Sequence, residues 1–223
     1  MFCSYCESIL GRVMNLDLRR EKEKHERRES ILNAAENVFF SKGYDRCSME
    51  EIARNAQLSR ALLYVYFKDK AAMMRAIVLR SLQNLRDRFS QAISQSELGI
   101  DQVASIGQAY YDFSREESDY FDVLTHSGTF PHLLDEDEHS VALQCCGDEI
   151  MQLMVEALER GVADSSLSPD RVQDPVKTAY FLRGAVHGVI METRQPDQKA
   201  RDLPEADVLI RYTIEMLGHS LKA

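Results

Sequence analysis

Proline is absent from the first 130 residues, although the 223-residue chain contains five prolines in total. Because proline is the residue that most often interrupts helices, its absence favours a first half built of helices. No segment alternates apolar and polar residues between hairpin turns, so no strand is predicted anywhere. The sequence therefore predicts an all-α fold.

Long apolar runs are also lacking. No stretch approaches the roughly 18 to 20 apolar residues that a membrane helix needs, and the first residues lack the basic and apolar regions of a secretory signal. Cysteine is odd in number, at five, so no disulfide framework is expected. We therefore expect a cytoplasmic protein without a membrane partner, translated from either Met1 or Met14.

The patterns of known catalytic sites are missing as well. There is no nucleophile motif, no phosphate-binding glycine loop and no HExxH pair. An all-helical enzyme is therefore disfavoured, and no catalytic residue and no cofactor are predicted.

Three groups of residues nevertheless leave alternatives open. Cys3 and Cys6 form a lone CxxC, for which a disordered tail is favoured over zinc or redox chemistry. A thiol sensor at residues 145–146 stays open. A solvated acidic loop is favoured over a metal site, because no standard ligand spacing joins the residues concerned: His126, His132, His139 and the run 135–138.

Charge is distributed unevenly along the chain, whose net charge is −9. Residues 12–88 contain 17 basic and 11 acidic side chains, whereas residues 89–223 contain 10 basic and 24 acidic ones. Only the basic front is therefore expected to meet a polyanion, which suggests two functions on one chain.

Two short helices with separate N-caps follow each other in this basic front. Ser48 begins the first and forms a capping box with Glu51, and Ser59 begins the second after a short turn. Leu63 and Phe67, one turn apart, are predicted to anchor the second helix inward. These dimensions are typical of a helix-turn-helix, whose second helix fits the DNA major groove.

Residues 31–74 resemble the DNA-binding segment of the tetracycline-repressor (TetR) family of bacterial transcription regulators. The resemblance rests on landmarks in one register: Ala34-Ala35, Phe39, Gly43-Tyr44, Ile52-Ala53, Ala56, Ser59, Leu63-Tyr64, Tyr66-Phe67 and Lys70. It implies an N-terminal three-helix DNA-binding domain followed by a larger helical domain that dimerises and holds an effector.

The resemblance also implies roles for single residues. Ser48, Tyr66 and Lys70 would hold phosphates, whereas Arg60, Ala61, Leu62 and Tyr64 would lie along base edges. Ser59 and Lys68 complete the expected DNA-binding set. For Arg60, bidentate guanine recognition and a phosphate contact both stay open. Tyr44 is expected to pack beneath the helices and not to touch DNA.

The chain departs from the family pattern at three places. Cys47 stands where Thr is usual, Gln57 where Gly is usual, and Ala61-Leu62 where a small pair such as Gly-Thr is usual. Gln57 occupies a turn that normally needs a positive φ, so it predicts either modest strain or a different turn. Leu62 replaces a hydroxyl with an apolar surface that suits a thymine methyl.

Three regions are expected: a partly disordered or helical tail at 1–24, the helix-turn-helix domain at 25–70, and the effector and dimerisation domain at 71–223. The long helix of the third region at 175–194 is apolar nearly all round, so it must be buried on every side. Together with the last helix, at 203–221, it predicts a homodimer. The expected interface residues are Tyr180, Gly184, His187, Gly188, Met191, Leu209, Tyr212 and Met216.

The effector pocket is expected among the middle helices, for a mostly apolar small molecule with one or two polar anchors. Its candidate residues are Tyr111, Phe121, His126, Met151, Met154, Phe181, Arg183 and His187. The interpretation as a whole is a homodimeric repressor of a palindromic operator, released by an effector. An activator, a ligand-independent regulator and a pure interaction protein are the alternatives.

Overall fold

The computed structural model describes residues 4–126, 138–195 and 204–222, and the predicted loop at 128–137 lies outside them. This part of the chain is all-α, as the sequence predicts, and contains no strand. Its helices are α1 (Ser4–Lys42), α2 (Met49–Asn55), α3 (Arg60–Tyr66), α4 (Lys70–Ser94), α5 (Gly99–Glu116), α6 (Ser118–His126), α7 (Glu138–Ala163), α8 (Pro175–Thr193) and α9 (Ala206–Leu221). None of the described helices is both long enough and apolar enough to cross a bilayer.

The chain divides into two compact units, Met1–Ile77 and Val78–Ala223, and the division falls inside α4. α1 begins at Ser4 and is therefore helical through most of the segment expected to be a tail. It ends where Gly43 adopts a φ of 82°, a left-handed conformation that glycine adopts without steric cost, and the Gly43 amide donates to the Phe39 carbonyl at 2.8 Å.

The first unit is held together by apolar side chains from α1, α2 and α3. Ile31, Ile52 and Leu63 are fully buried, and Phe39 and Phe67 are almost so. At about 25 cal/mol per Å² of buried apolar surface, such side chains supply the main driving force for packing the short helices. The core therefore fixes α3 relative to α1 and α2.

The second unit packs α5 against α7, and α8 against both α7 and α9. Its largest fully buried side chains include Phe113, Phe121 and Leu158. α5 begins so close to the end of α7 that a Cβ at Gly99 would overlap the backbone of Gly161. Glycine at position 99 is therefore required by this close approach.

Candidate nucleic-acid interface and effector cavity

The two short helices begin at the predicted N-caps. The Ser48 hydroxyl accepts from the Glu51 amide at 3.2 Å, and the Ser59 hydroxyl accepts from the Leu62 amide at 3.2 Å. The reciprocal half of the predicted capping box does not form, because the Glu51 carboxylate pairs with the Lys42 ammonium instead. This pair joins the end of α1 to the start of α2.

The turn between α2 and α3 is a Schellman motif. The Leu58 amide donates to the Ala53 carbonyl at 2.8 Å, and the Gln57 amide donates to the Arg54 carbonyl at 3.1 Å. Gln57 has a φ of 56°, so the turn keeps the left-handed residue that glycine usually supplies. Of the two expectations for Gln57, strain within an unchanged turn is therefore the one observed.

α3 has one buried side and one exposed side. Leu63 and Phe67 face inward, as the sequence predicts, with 0% and 2% of their surface exposed. The exposed side carries most of the predicted DNA-binding set, namely Ser59, Arg60, Ala61, Leu62 and Tyr64, whereas Tyr66 is half-buried.

Val65 also belongs to the exposed side of α3 but was not predicted. Its side chain is 76% exposed, and it lies one helical turn after Ala61. That i, i+4 spacing was the signal in the sequence that would have placed it on the predicted base-facing side. Leu62, Tyr64 and Val65 together give this side an apolar surface next to the charge of Arg60.

Two exposed cations, Arg60 and Lys68, lie beside this apolar surface. The Arg60 guanidinium lies 5.6 Å from the centre of the Tyr64 ring, and the Tyr64 hydroxyl raises the pKa of Arg60 by hydrogen bonding. Lys68 is exposed. Both side chains are therefore available to a ligand in solution.

Lys70 is more constrained than the predicted phosphate role suggests. Its Nζ donates to the carbonyls of Tyr44 and Cys47, each at 2.9 Å, and lies 4.6 Å from the centre of the Tyr44 ring. An ammonium has three donors, so one remains for a phosphate. Cys47 is buried, which raises the pKa of its thiol, and its Sγ donates to the Tyr44 carbonyl at 3.0 Å. The loop before α2 is thus tied to the start of α4.

The second unit contains a cavity of about 410 Å³, within the size range of small-molecule sites. Its walls come from α4 to α9 and are almost entirely aliphatic or aromatic. Among the described lining residues, Tyr110 and Arg183 have polar side chains. Leu85, Ile106 and Met154 are typical of the apolar remainder.

The predicted pocket residues are distributed over several environments. Met154 and Arg183 line the cavity. Tyr111 does not: its hydroxyl donates to the Asp207 carboxylate at 2.5 Å. His126 is exposed at the end of α6, where its Nδ1 lies 2.9 Å from the Asp122 carbonyl oxygen.

Phe181, which the sequence analysis expects in the pocket, is 61% exposed and does not line the cavity. Met151 is half-buried, with its sulfur 3.5 Å from Nη1 of Arg183. Phe121 is fully buried in the core, with its ring centre 6.0 Å from that of His187.

Tyr110, the neighbour of the predicted Tyr111, provides a polar group of the cavity wall. Its hydroxyl lies 2.8 Å from Nδ1 of His187. Burial raises the pKa of Tyr110 to about 12, and burial together with the nearby Arg183 lowers the pKa of His187. Both groups are therefore neutral at pH 7, so the positive charge of Arg183 is not offset by this pair.

α8 and α9 expose apolar side chains on a surface that we call the α8–α9 face. Of the predicted interface residues, Tyr180, Tyr212 and Met216 are 51 to 59% exposed, Gly184 and Gly188 are exposed, and His187, Met191 and Leu209 are half-buried. Val176, Phe181 and Val208 are exposed as well and were not predicted there. Ile210 and Leu221 of α9 point into the unit's own core. The described residues hold no cluster of three metal-binding side chains.

Comparison with known proteins supports the first unit most directly. Residues 31–77 match the sequence model of the family described as bacterial regulatory proteins, tetR family. The chain is 27% identical to the HTH-type transcriptional activator FasR of Mycolicibacterium smegmatis over 59% of this chain and 60% of that protein. It is 35% identical to the HTH-type transcriptional regulator TtgR of Pseudomonas putida over 37% of this chain and 39% of that protein. The chain thus matches less than two thirds of the length of these relatives.

The fold of the whole chain has relatives among solved structures. AibR, solved in complex with isovaleryl coenzyme A and operator DNA, superposes with a TM-score of 0.65 over 85% of this chain and 97% of that one, at 18% identity. At such identity the likeness concerns the fold alone. The fold and the exposed side of α3 define the class of protein: a helix-turn-helix protein with a second, larger helical domain. Residues 31–77 carry the DNA-binding segment of the tetR family of bacterial regulatory proteins, and the fold of the chain is similar to that of PfmR, a TetR family transcriptional regulator from Thermus thermophilus.

Proposed function

We propose that this chain is a homodimeric transcriptional regulator that binds a palindromic operator through α3 and releases it when a small molecule binds the second unit. The observation that carries the proposal is α3 itself. Its inner residues are fully buried, whereas Arg60, Leu62, Tyr64 and Val65 face solvent beside Lys68. A helix presented in this way fits the major groove, where base edges are read.

The α8–α9 face supports the dimer. Large exposed apolar patches on soluble proteins mark interaction surfaces, and two copies joined by α8 and α9 would form a four-helix interface. Its two-fold symmetry would match half-sites about one helical turn apart. No enzymatic role is part of this proposal.

The cavity supports the effector. AibR, which shares the fold, was solved with isovaleryl coenzyme A, and the cavity here has a volume suited to a small molecule. Release would follow from a population shift, in which the ligand favours a dimer whose two α3 helices no longer match the groove spacing. The likeness to FasR, described as an activator, favours a second candidate, in which bound protein activates transcription.

Selection of fragments from random duplex DNA by the purified chain, at about 150 mM salt, tests operator binding. We expect a palindrome. Arg60→Ala should relax the preference at one position of each half-site, because a bidentate guanine contact is worth about 1–3 kcal/mol.

Arg54→Ala is the matched control, since Arg54 is an exposed arginine on the neighbouring α2. A uniform loss of affinity in Arg60→Ala would assign Arg60 to the phosphate backbone. Recovery of no consensus sequence by the parent protein would contradict the proposed function.

A further inference from the structure

The cavity of the second unit combines an apolar interior with one charged wall residue. Apart from Tyr110 and Arg183, each described lining residue is an aliphatic or aromatic residue, a methionine or a glycine. None of the described lining residues carries a carboxylate. A ligand with a hydrocarbon chain would therefore replace water against most of this surface, which is favourable at about 25 cal/mol per Å².

Arg183 differs from four other arginines of the second unit in the groups that surround its charge. Its described contacts are the Met151 sulfur, 3.5 Å from Nη1, and the Tyr180 ring, whose centre is 4.9 Å from Cζ. Neither group is negatively charged. Four other arginines of this unit pair with carboxylates: Arg86 with Glu149, Arg88 with Glu116, Arg115 with Asp207, and Arg194 with Asp122.

The position of Arg183 is that of a rim residue. The side chain lines the cavity and is also exposed to solvent. A charged head group bound there would stay hydrated on one side, which avoids the large cost of burying an ion completely. Guanidinium groups bind carboxylates and phosphates through paired hydrogen bonds.

Neither Tyr110, the other polar residue of this wall, nor its hydrogen-bond partner His187 compensates the charge of Arg183. The Tyr110 hydroxyl and His187 Nδ1 bond to each other at 2.8 Å. Burial keeps the tyrosine protonated and the histidine neutral at pH 7. The cavity therefore favours an anion over a cation of the same shape.

From this geometry we infer that the effector is an amphiphile with a hydrocarbon chain in the cavity and an anionic head group at Arg183. The regulatory role of this ligand rests on the proposed function, but its binding in the cavity does not. Two sources share the chemistry, a free carboxylate and an acyl thioester that carries phosphates.

Calorimetric titration of the full-length protein, without DNA, tests the inference with four probes of equal chain length: decanoate, decanoyl coenzyme A, 1-decanol and decylamine. We expect at least one anionic probe to bind about tenfold more tightly than decanol, which corresponds to about 1.4 kcal/mol, and decylamine to bind more weakly than decanol. Preference for decanoate identifies the carboxylate as the head group, and preference for the thioester identifies the phosphates.

Four variants make the test specific. Arg183→Met should remove the advantage of the anionic probes and leave decanol binding unchanged, whereas Arg183→Lys should keep part of it. Gly147→Leu should abolish binding of all probes, because Gly147 lines the cavity and a Cβ there meets no atom within 4 Å. Arg171→Met, at an exposed arginine that does not line the cavity, controls for net charge.

The inference is overturned if no probe binds, if decanol or decylamine binds as tightly as the anions, or if Arg183→Met leaves the preference intact. Failure of this inference can be told apart from failure of the proposed function. A chain that selects an operator but shows no anion preference refutes only the ligand class. A chain that binds the anions through Arg183 but selects no operator refutes only the regulator.

Discussion

Gln57 shows how a single residue can keep a turn while weakening it. A side chain at a φ of 56° costs about 1–2 kcal/mol, because its Cβ approaches the following carbonyl oxygen. The cost is tolerated because both Schellman hydrogen bonds form around it and Ser59 caps the next helix. Sequence alone left two outcomes open here, since it specifies the residue but not how firmly its neighbours hold the backbone.

Gln57→Gly should therefore stabilise the first unit by about 0.5–1 kcal/mol, since relief of the left-handed strain exceeds the larger entropy that glycine gives the unfolded chain. Chemical denaturation monitored by circular dichroism measures the change. Gln57→Asn should lie between the parent and Gln57→Gly, and Gln57→Val should be less stable than the parent, because a β-branched residue tolerates positive φ poorly. A Gln57→Gly protein less stable than its parent would contradict this account.

At the scale of elements, α5 begins with a cap supplied by another part of the chain. Its N-cap residue, Leu98, has no side chain able to cap. The Asp164 carboxylate accepts from the Gly99 amide at 2.7 Å and the Ser166 amide at 2.9 Å, and the Ser166 hydroxyl accepts from the Ile100 amide at 3.1 Å. The segment after α7 thereby satisfies donors that α5 leaves open.

Asp164→Asn should lower the melting temperature at pH 7 by a few degrees and make no difference in acid. Hydrogen bonds from Ser166 and from the Gly99 amide lower the pKa of Asp164 below its ordinary value of 3.8. A lowered pKa means stability that is present above the ordinary value and lost as pH falls through the lowered one. The difference between parent and variant should thus shrink only as the pH falls below the ordinary value of 3.8.

Thermal unfolding of both proteins across this pH range measures the difference. Asp170→Asn, in the same connection, is the control, because its carboxylate makes no hydrogen bond among the described residues. If the difference in melting temperature between the parent and Asp164→Asn persists unchanged into acid, the effect comes from the shape of the side chain and not from its charge.

Helix phase explains where sequence reasoning succeeded and where it failed. N-caps at Ser48 and Ser59 were predictable because capping depends on a few adjacent residues. Tyr110 and Tyr111 were not separable, because neighbouring helical residues point about 100° apart and both sides of α5 carry apolar residues. The structure has Tyr110 at the cavity and Tyr111 bonded to Asp207.

At the scale of the whole molecule, the same ambiguity concerns what buries α8. A helix that is apolar on all sides must be covered on all sides, but the pattern does not say whether the cover is the chain's own core or a second copy. Phe181 was expected in the pocket because it is one of the aromatic residues of the middle helices, although its side chain is exposed. Exposure in the folded chain is the observation that assigns it to the α8–α9 face.

Tyr212→Glu should separate the proposed dimer. Tyr212 is 59% exposed on α9, and a carboxylate buried there without a partner costs about 3–5 kcal/mol, or about two to four orders of magnitude in the dimer dissociation constant. Sedimentation velocity over a dilution series measures that constant. Val141→Glu also replaces an exposed apolar residue of the second unit, but outside this face, and should leave the dimer intact. If Tyr212→Glu dimerises like the parent, the α8–α9 face is not the interface, and the operator symmetry that we derive from it must come from another surface.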